Sequence, residues 1–304
     1  MVNPLQLALI TQGVHVWNRY KTDGVDIPID LSGADLKGAN LTGAYLQGAN
    51  LSRANLSRAN LSRANLSRAN LSQASLESAN LSRANLSQAN LEEAVLFQTI
   101  LTQANLIGSC LPRTDLQLAM LFQANLTAAS LKETIFWKSY LMGAVLRRVD
   151  LNRATVQETI FHGADLREAD LTGVYFSETS LSQANLRGAN LQGGLFKRTN
   201  FWGTNLQEAS LKGAYFKQVV FNKSDLTRAS LQEAHLQGSI FREANLTQAN
   251  FERADLERAV FRGSNLMGTN LTEASVQWAI FRETNLENTQ GLDSSFGRGA
   301  LIHD

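Results

Sequence analysis

Residues Leu51 to Asn70 read LSRANLSRANLSRANLSRAN, the same five residues four times over. The five-residue period extends outward from this stretch without an insertion. From Leu31 to Leu286 every fifth residue is Leu, Phe or Val, at 52 consecutive positions. A small or β-branched residue, most often Ala, stands two positions before each of them. Because a repeat of fixed length determines the architecture of a chain, the sequence predicts an all-β solenoid.

A period of five fits neither a helix nor a straight strand. Five residues turn an α-helix by about 500°, so the leucines would spiral around its axis. On a strand an odd period sends successive leucines to opposite faces. The leucines gather in one place if each pentad runs straight and then turns a corner. Leu at position i and Ala at i−2 then point inward, whereas positions i−1, i+1 and i+2 point outward and are mostly polar or Gly. Gly recurs at i+2, where a tight turn benefits from a missing Cβ.

The spacing of the phenylalanines gives the number of pentads in one coil. Five of them are spaced by 20 residues: Phe201, Phe221, Phe241, Phe261 and Phe281. Rings that stack from coil to coil produce this spacing, which predicts four pentads per coil and a square cross-section. The repeat region then has about 13 coils. At about 4.8 Å between stacked strands, the rod would be roughly 60 Å long.

Several pentads show the pattern A(D/N)LXX directly: ADLKG at 34–38, ANLSR at 54–58, ADLRE at 164–168 and ANLTQ at 244–248. In this pattern the chain resembles the pentapeptide repeat family, and the resemblance implies a right-handed quadrilateral β-helix. The segments GVHVWN at 13–18 and IDLSGADL at 29–36 are similar to cyanobacterial members. Those members include a suppressor of heterocyst differentiation that acts through protein contacts. Other members of the family protect DNA gyrase by imitating DNA.

The ends of a solenoid need covers, because bare strand edges invite association. Asn3-Pro4 is a helix start with Asn as the N-cap, and apolar residues follow at helical spacing as far as Tyr20, before Asp23-Gly24. The sequence therefore predicts three segments. They are a cap with one short helix over residues 1–28, the β-helix over 29–290, and a tail or partial coil over 291–304.

The chain has no sequence feature of secretion, membrane insertion or catalysis. Residues 1–20 lack the basic start and sustained apolar core of a signal peptide, and no stretch reaches transmembrane length. The single cysteine, Cys110, cannot form an internal disulfide. The four histidines show no metal-ligand spacing. We expect a cytoplasmic protein that is not an enzyme and has no cofactor, no metal and no membrane partner.

Outward positions distinguish four faces, which we name after their first inward residues: the Leu31, Leu36, Leu41 and Leu46 faces. Large apolar residues take no outward position on the Leu31 face and four on the Leu46 face, but nine on the Leu36 face and eleven on the Leu41 face. The corner between the last two faces is therefore the candidate surface. Its candidate partner-binding residues are Phe122, Trp137, Tyr140, Tyr175, Trp202, Tyr215 and Trp278.

Two interpretations of this corner are open. In the first, β-branched residues at i−1 stack from coil to coil and stiffen the sheet. In the second, the corner binds a protein partner of unknown identity or a second copy of the chain, since aromatic residues are enriched at interfaces. The stacking interpretation suits one 20-residue ladder best: Val220, Ile240, Val260 and Ile280. The interface interpretation suits the aromatic residues.

A second departure from the repeat is electrostatic. Arg53, Arg58, Arg63 and Arg68 fall one per face on a single coil, a candidate ring for an anion or a nucleic-acid backbone. The ring surrounds the coil instead of gathering on one face, so the sequence favours a solvated ring over a nucleic-acid site. The formal net charge of +1 opposes DNA mimicry, which needs an acidic rod. We expect a non-enzymatic protein-interaction scaffold. The alternatives are a DNA-mimicking gyrase-interacting protein and a purely structural rod.

Overall fold

The computed structural model describes residues 2–22 and 27–291. The chain divides into two compact units, Met1–Asp150 and Leu151–Asp304. Two predictions lie outside the described residues: the helix end at Asp23-Gly24, and the tail or partial coil beyond Gly291.

Each pentad is a tight turn followed by a short extended segment. At the start of the first unit's repeats, the amide of Ala34 donates to the carbonyl of Leu31 across 3.1 Å. Gly33, the third residue of that turn, has a φ of 66°, as a type II turn requires. The corner is not reserved for glycine, however, because Arg53 and Gln73 hold the same position with φ of 58°. The regular hydrogen bonds of the coil offset a local cost of about 1–2 kcal/mol for each such residue.

Parallel bridges between residues 20 apart stack the pentads in each unit. Asp30 bridges Asn50 in the first unit, and Asn245 bridges Asn265 in the second. The amide of Leu31 donates to the carbonyl of Asn50, and the amide of Asn50 donates to the carbonyl of Ile29, both across 2.8 Å. The predicted 20-residue register, with four pentads in each coil, is confirmed.

Most bridges involve a single residue, but some lengthen into three-residue strands. The first unit has β1 (Ile135–Trp137), and the second has β2 (Thr155–Gln157), β3 (Tyr175–Ser177), β4 (Leu195–Lys197) and β5 (Tyr215–Lys217). Strands β2 to β5 pair in parallel and in sequence order, each residue opposite the one 20 positions later. All five strands belong to the Leu36 face.

A column of inward side chains forms the core of each unit. From Leu31 to Phe281 every Leu, Phe or Val at position i is at most 3% exposed, and burying each contributes about 1.5–3 kcal/mol. In the second unit five phenylalanines of the Leu41 face, from Phe201 to Phe281, stack with ring centroids 4.8–5.0 Å apart. The aromatic column predicted from their spacing is therefore present.

The N-terminal segment forms two helices, whereas the sequence analysis predicted one. Helix α1 spans Pro4–Thr11 and α2 spans Val14–Thr22. As predicted, Asn3 caps α1, since its Oδ1 accepts from the amides of Leu5 at 3.1 Å and Gln6 at 3.2 Å. Gly13 separates the helices with a φ of 124°, a conformation that glycine adopts without a steric penalty.

Polar contacts join both helices to the first coil. The buried indole of Trp17 donates from Nε1 to the carbonyl of Tyr45 across 2.9 Å. The buried amide of Gln6 donates to the carbonyl of Pro28 and accepts from the amide of Asp30. These bonds satisfy backbone groups at the edge of the first coil and hold the helices against it.

Candidate protein-binding surface

A ladder of hydrogen-bonded Asn side chains is the ordinary surface of this solenoid. At position i−1 the side chain of Asn50 accepts from the amide of Ser52 at 3.2 Å, a local turn that Asn and Asp form readily. Asn245 does the same for Thr247 in the second unit. Its amide nitrogen also donates to Thr227, one coil earlier. An apolar residue at i−1 gives up these bonds, so the apolar i−1 positions of the Leu36 and Leu41 faces carry a cost.

In the first unit, Tyr140 and Phe122 form an aromatic pair on the Leu41 face. Their ring centroids are 5.8 Å apart with an interplanar angle of 20°. Tyr140 is 39% exposed and Phe122 is half-buried. Met120 and Met142 are both exposed on the same face. The two aromatic residues predicted here are thus brought together, and methionines, which adapt readily to a partner, extend the apolar area.

Trp137 lies on the Leu36 face of the first unit, where it ends β1. Its ring is half-buried, and the ammonium of Lys138 stands 4.5 Å from the ring centroid. A cation over an aromatic face is favourable by roughly 0.5–1 kcal/mol at such sites. Trp137 is therefore less accessible than the interface interpretation expects.

In the second unit, Tyr215 is the most exposed of the predicted partner-binding residues, at 50%. Its ring stacks on His235, one coil later, with centroids 4.0 Å apart and an interplanar angle of 9°. Tyr175 and Leu195 precede Tyr215 in the same register, Tyr175 half-buried and Leu195 exposed. Sequence analysis did not link Tyr215 to His235, although their spacing of 20 residues was the available signal.

The two remaining tryptophans of the second unit are also exposed. Trp202 is 39% exposed and Trp278 is 47% exposed. The guanidinium of Arg258 lies 4.8 Å from the Trp278 ring centroid, on the Leu36 face. The backbone amide of Trp202 donates to the side chain of Asn200 at 2.9 Å, which fixes the turn from which the indole projects.

The aliphatic ladder of the Leu41 face is less exposed than the aromatic residues. Val220 bridges Ile240, and Val260 bridges Ile240 and Ile280. All four residues are half-buried. Their register is the one that the stacking interpretation requires. The stacking interpretation does not explain the aromatic residues, which carry most of the remaining exposed apolar area.

The four arginines of the predicted ring lie at four successive corners of one coil, each with φ of 58–59°. Arg53 donates from Nε to Oε1 of Gln73, one coil later, and Arg68 does the same to Gln88, both across 2.9 Å. The other two members are Arg58 and Arg63. Because the corners point away from one another, the structure does not gather the ring on one face.

A polar groove of 620 Å³ runs along the Leu31 face of the first unit. Side chains along it bond to one another: Gln73 donates to Glu93 at 2.9 Å, and Arg113 donates to Glu93 at 2.9 Å. The hydrogen bond from Gln73, followed by that from Arg113, lowers the pKa of Glu93. The groove thus holds a satisfied ladder, in which the carboxylate is stabilised as the anion.

Cys110 and the metal-binding residue types show no arrangement for chemistry in the described part of the chain. Burial, followed by the charge of Glu92, raises the pKa of the Cys110 thiol, which opposes a nucleophilic role. Among the described residues, no group of three or more His, Cys, Asp or Glu could hold a metal ion. Within the same residues, no helix is long and apolar enough to cross a membrane.

Comparison with known families gives one match that covers most of the chain. The family described as pentapeptide repeats matches ten ranges that together span residues 29–288. No curated protein matches the sequence.

Solved structures with the same repeat also resemble the chain. HetL, a pentapeptide repeat protein involved in heterocyst differentiation regulation in the cyanobacterium Nostoc sp. strain PCC 7120, is 27% identical. The match covers 89% of this chain and 97% of HetL, with a TM-score of 0.40. QnrB1, a plasmid-mediated fluoroquinolone resistance protein, is 16% identical over 64% of this chain and 91% of its own, with a TM-score of 0.29. Rfr23 from the cyanobacterium Cyanothece 51142 is 22% identical over 41% and 85%, with a TM-score of 0.19.

Proposed function

The chain belongs to the pentapeptide repeat family, and from this premise we propose that it is a non-enzymatic scaffold that binds a protein partner. The binding residues are the exposed aromatic residues of the Leu36 and Leu41 faces. The binding residues are Tyr140 and the residues next to it in the first unit, and Trp202, Tyr215 and Trp278 in the second unit.

One observation carries the proposal. Tyr140, Trp202, Tyr215 and Trp278 are 39–50% exposed in a repeat whose outward positions are mostly polar or Gly. Leaving such rings in water is unfavourable by about 25 cal/mol per Å² of apolar surface. A partner that covers them recovers this free energy, and Trp and Tyr dominate the binding energy of protein interfaces. In a purely structural rod the exposed part of these rings stays in water.

DNA mimicry is the alternative that the family resemblance raised. An imitation of DNA must present a dense negative charge, whereas this chain has 28 Lys and Arg against 27 Asp and Glu. Ion pairs between neighbouring coils neutralise further carboxylates, for example Glu273 at 2.7 Å from Arg253. We therefore expect no effect of the protein in a gyrase supercoiling assay, and protection of gyrase would favour the alternative.

The test is a paired substitution on the proposed surface. The variant Tyr140→Ser with Trp202→Ser should lose the proteins that the parent captures from its native host, as identified by mass spectrometry. A matched variant, Gln47→Ser with Gln192→Ser, changes two exposed residues on the other two faces and should retain them.

Light scattering at several concentrations separates a partner from a second copy of the chain. If the mass rises with concentration in the parent but not in the paired variant, the surface binds a second copy of the chain and not a different protein. Capture and mass that are unchanged in the paired variant would refute the surface.

A further inference from the structure

Two parallel columns of side chains run along the Leu41 face of the second unit. We call them the arginine column and the aliphatic column. The arginine column contains Arg242, Arg262 and Arg282, and the aliphatic column contains Ile240, Val260 and Ile280. The arginines are exposed and the aliphatic residues are half-buried. Between the columns lie the inward phenylalanines, whose centroids repeat every 5.0 and 4.9 Å. Each column therefore repeats at about 5 Å, the spacing of stacked strands.

The arginine column has fewer carboxylates than guanidinium groups. Glu283 Oε1 lies 3.2 Å from Arg262 and 3.6 Å from Arg282, so one carboxylate is shared by two arginines. Arg242 forms no ion pair within the described part of the chain. The carboxylate of Glu243 beside it lies 3.5 Å from the ammonium of Lys223 instead. Like charges about 5 Å apart repel one another, so the column favours an external anion.

The distance between the two columns suits an extended polypeptide. The columns stand two residues apart on each coil, which is about 6–7 Å. In an extended chain laid along the columns, successive side chains point to opposite sides. One side then faces the arginines and the other faces the aliphatic residues. Side chains on one side of the bound peptide repeat at about 6.6 Å, whereas the arginine column repeats at about 5 Å. The long arginine side chains can cover this difference.

We propose that these two columns bind an extended segment of a protein partner in which acidic residues alternate with apolar ones. The proposal rests on the protein-binding function above and adds the chemistry of the partner. Nucleic acid is the less suitable occupant, because the aliphatic column offers nothing to a phosphate backbone.

The test measures the fluorescence anisotropy of short labelled peptides with the full chain. A peptide of alternating Glu and Val should bind, and added salt should weaken the binding. Peptides of alternating Glu and Ser, and of alternating Lys and Val, should bind at least several-fold more weakly. Replacing Arg242, Arg262 or Arg282 with Ser should lower the affinity about two- to fivefold each. The triple variant should lose more than about tenfold.

A matched control triple variant changes Arg53, Arg58 and Arg63 to Ser, which removes the same charge from the first unit. It should bind the Glu–Val peptide with unchanged affinity. Equal losses in both triple variants, or equal affinity for the Glu–Ser peptide, would overturn the proposal. So would a single-stranded DNA that binds more tightly than the peptide and is released by the Arg242, Arg262 and Arg282 substitutions.

Failure of this peptide-binding inference is distinguishable from failure of the proposed scaffold function. If the Glu–Val peptide does not bind but Trp202→Ser still removes cellular partners, this inference is wrong and the scaffold function stands. If the peptide binds as expected but Tyr140→Ser with Trp202→Ser removes no partner, the arginine and aliphatic columns bind independently of the aromatic surface.

Discussion

Replacing Phe221 and Phe241 with Leu, singly and together, tests the stacking of residues 20 positions apart. The two ring centroids lie 4.8 Å apart at an angle of 2°. Phe221 also stacks on Phe201 at 4.8 Å, and Phe241 on Phe261 at 5.0 Å. Leu is the common inward residue of the repeat, so the coil can accept it without a new backbone conformation.

The magnitude follows from counting these column contacts. Each single substitution removes two of them and should lower the free energy of unfolding by about 1–3 kcal/mol, at about 0.5–1.5 kcal/mol per contact. The double variant removes three, because one contact is shared. It should therefore be more stable than the sum of the single effects predicts, by about 0.5–1.5 kcal/mol.

The assay is urea unfolding followed by circular dichroism, compared among variants that retain a constant m-value. The control pair is Phe201 and Phe261, which are 60 residues apart and share neither a ring contact nor a stacking partner. Its effects should add within about 0.3–0.5 kcal/mol. Full additivity for Phe221 and Phe241, or equal coupling in the control pair, would refute the stacked register.

Three further predictions concern stability and reactivity. Leu186→Arg places a charge in the core at a fully buried position and should lower the free energy of unfolding by roughly 4 kcal/mol or more, measured by thermal or urea unfolding. The adjacent outward change Arg187→Leu should alter it by no more than about 0.5 kcal/mol. Equal effects would refute the inward assignment. Trp17→Phe leaves the carbonyl of Tyr45 without its indole donor and should cost about 1–3 kcal/mol, seen as faster hydrogen exchange at the first coil, and unchanged exchange would contradict this role. Since the pKa of Cys110 is raised, less thiolate is present at neutral pH than in an ordinary cysteine; iodoacetamide should react slowly at pH 7 and its rate should rise through a midpoint above that of a model thiol, and a midpoint at or below it would contradict the burial argument.

The repeat architecture could be predicted because a single steric rule applies at every pentad. Position i holds only apolar side chains, and the phenylalanines at 20-residue spacing record the number of sides of the coil. The backbone conformation at the turn of each pentad could not be predicted as well from the sequence. Arg53 and Gln73 adopt a positive φ that their residue types disfavour, because hydrogen bonds to the next coil outweigh local preference.

The N-terminal cap shows where sequence reasoning stopped. Asn3 and the burial of Trp17 were predictable from capping and apolar spacing. The break at Gly13 was not, since the apolar pattern continues across it. The burial of Gln6 could not be inferred either, because its partners Pro28 and Asp30 are more than 20 residues away in sequence.

The candidate surface was predictable in position but not in accessibility. Counting outward apolar residues by face selected the Leu36 and Leu41 faces, and Trp202 and Tyr215 are exposed there. Phe122 and Trp137 are half-buried because a stacked tyrosine and a lysine cover part of each ring. Such pairings depend on side-chain rotamers, which the repeat does not determine.

Site-specific photo-crosslinking tests the central claim, that exposed aromatic residues of the Leu36 and Leu41 faces bind protein, most directly. A photoreactive phenylalanine derivative would replace Trp202 on the Leu41 face or, as the control, Gln192 on the Leu31 face. Each protein would be irradiated in an extract of the native host. The scaffold account predicts a discrete protein adduct from position 202 and none from position 192. The same adduct from both positions, or an adduct from position 192 alone, would contradict it.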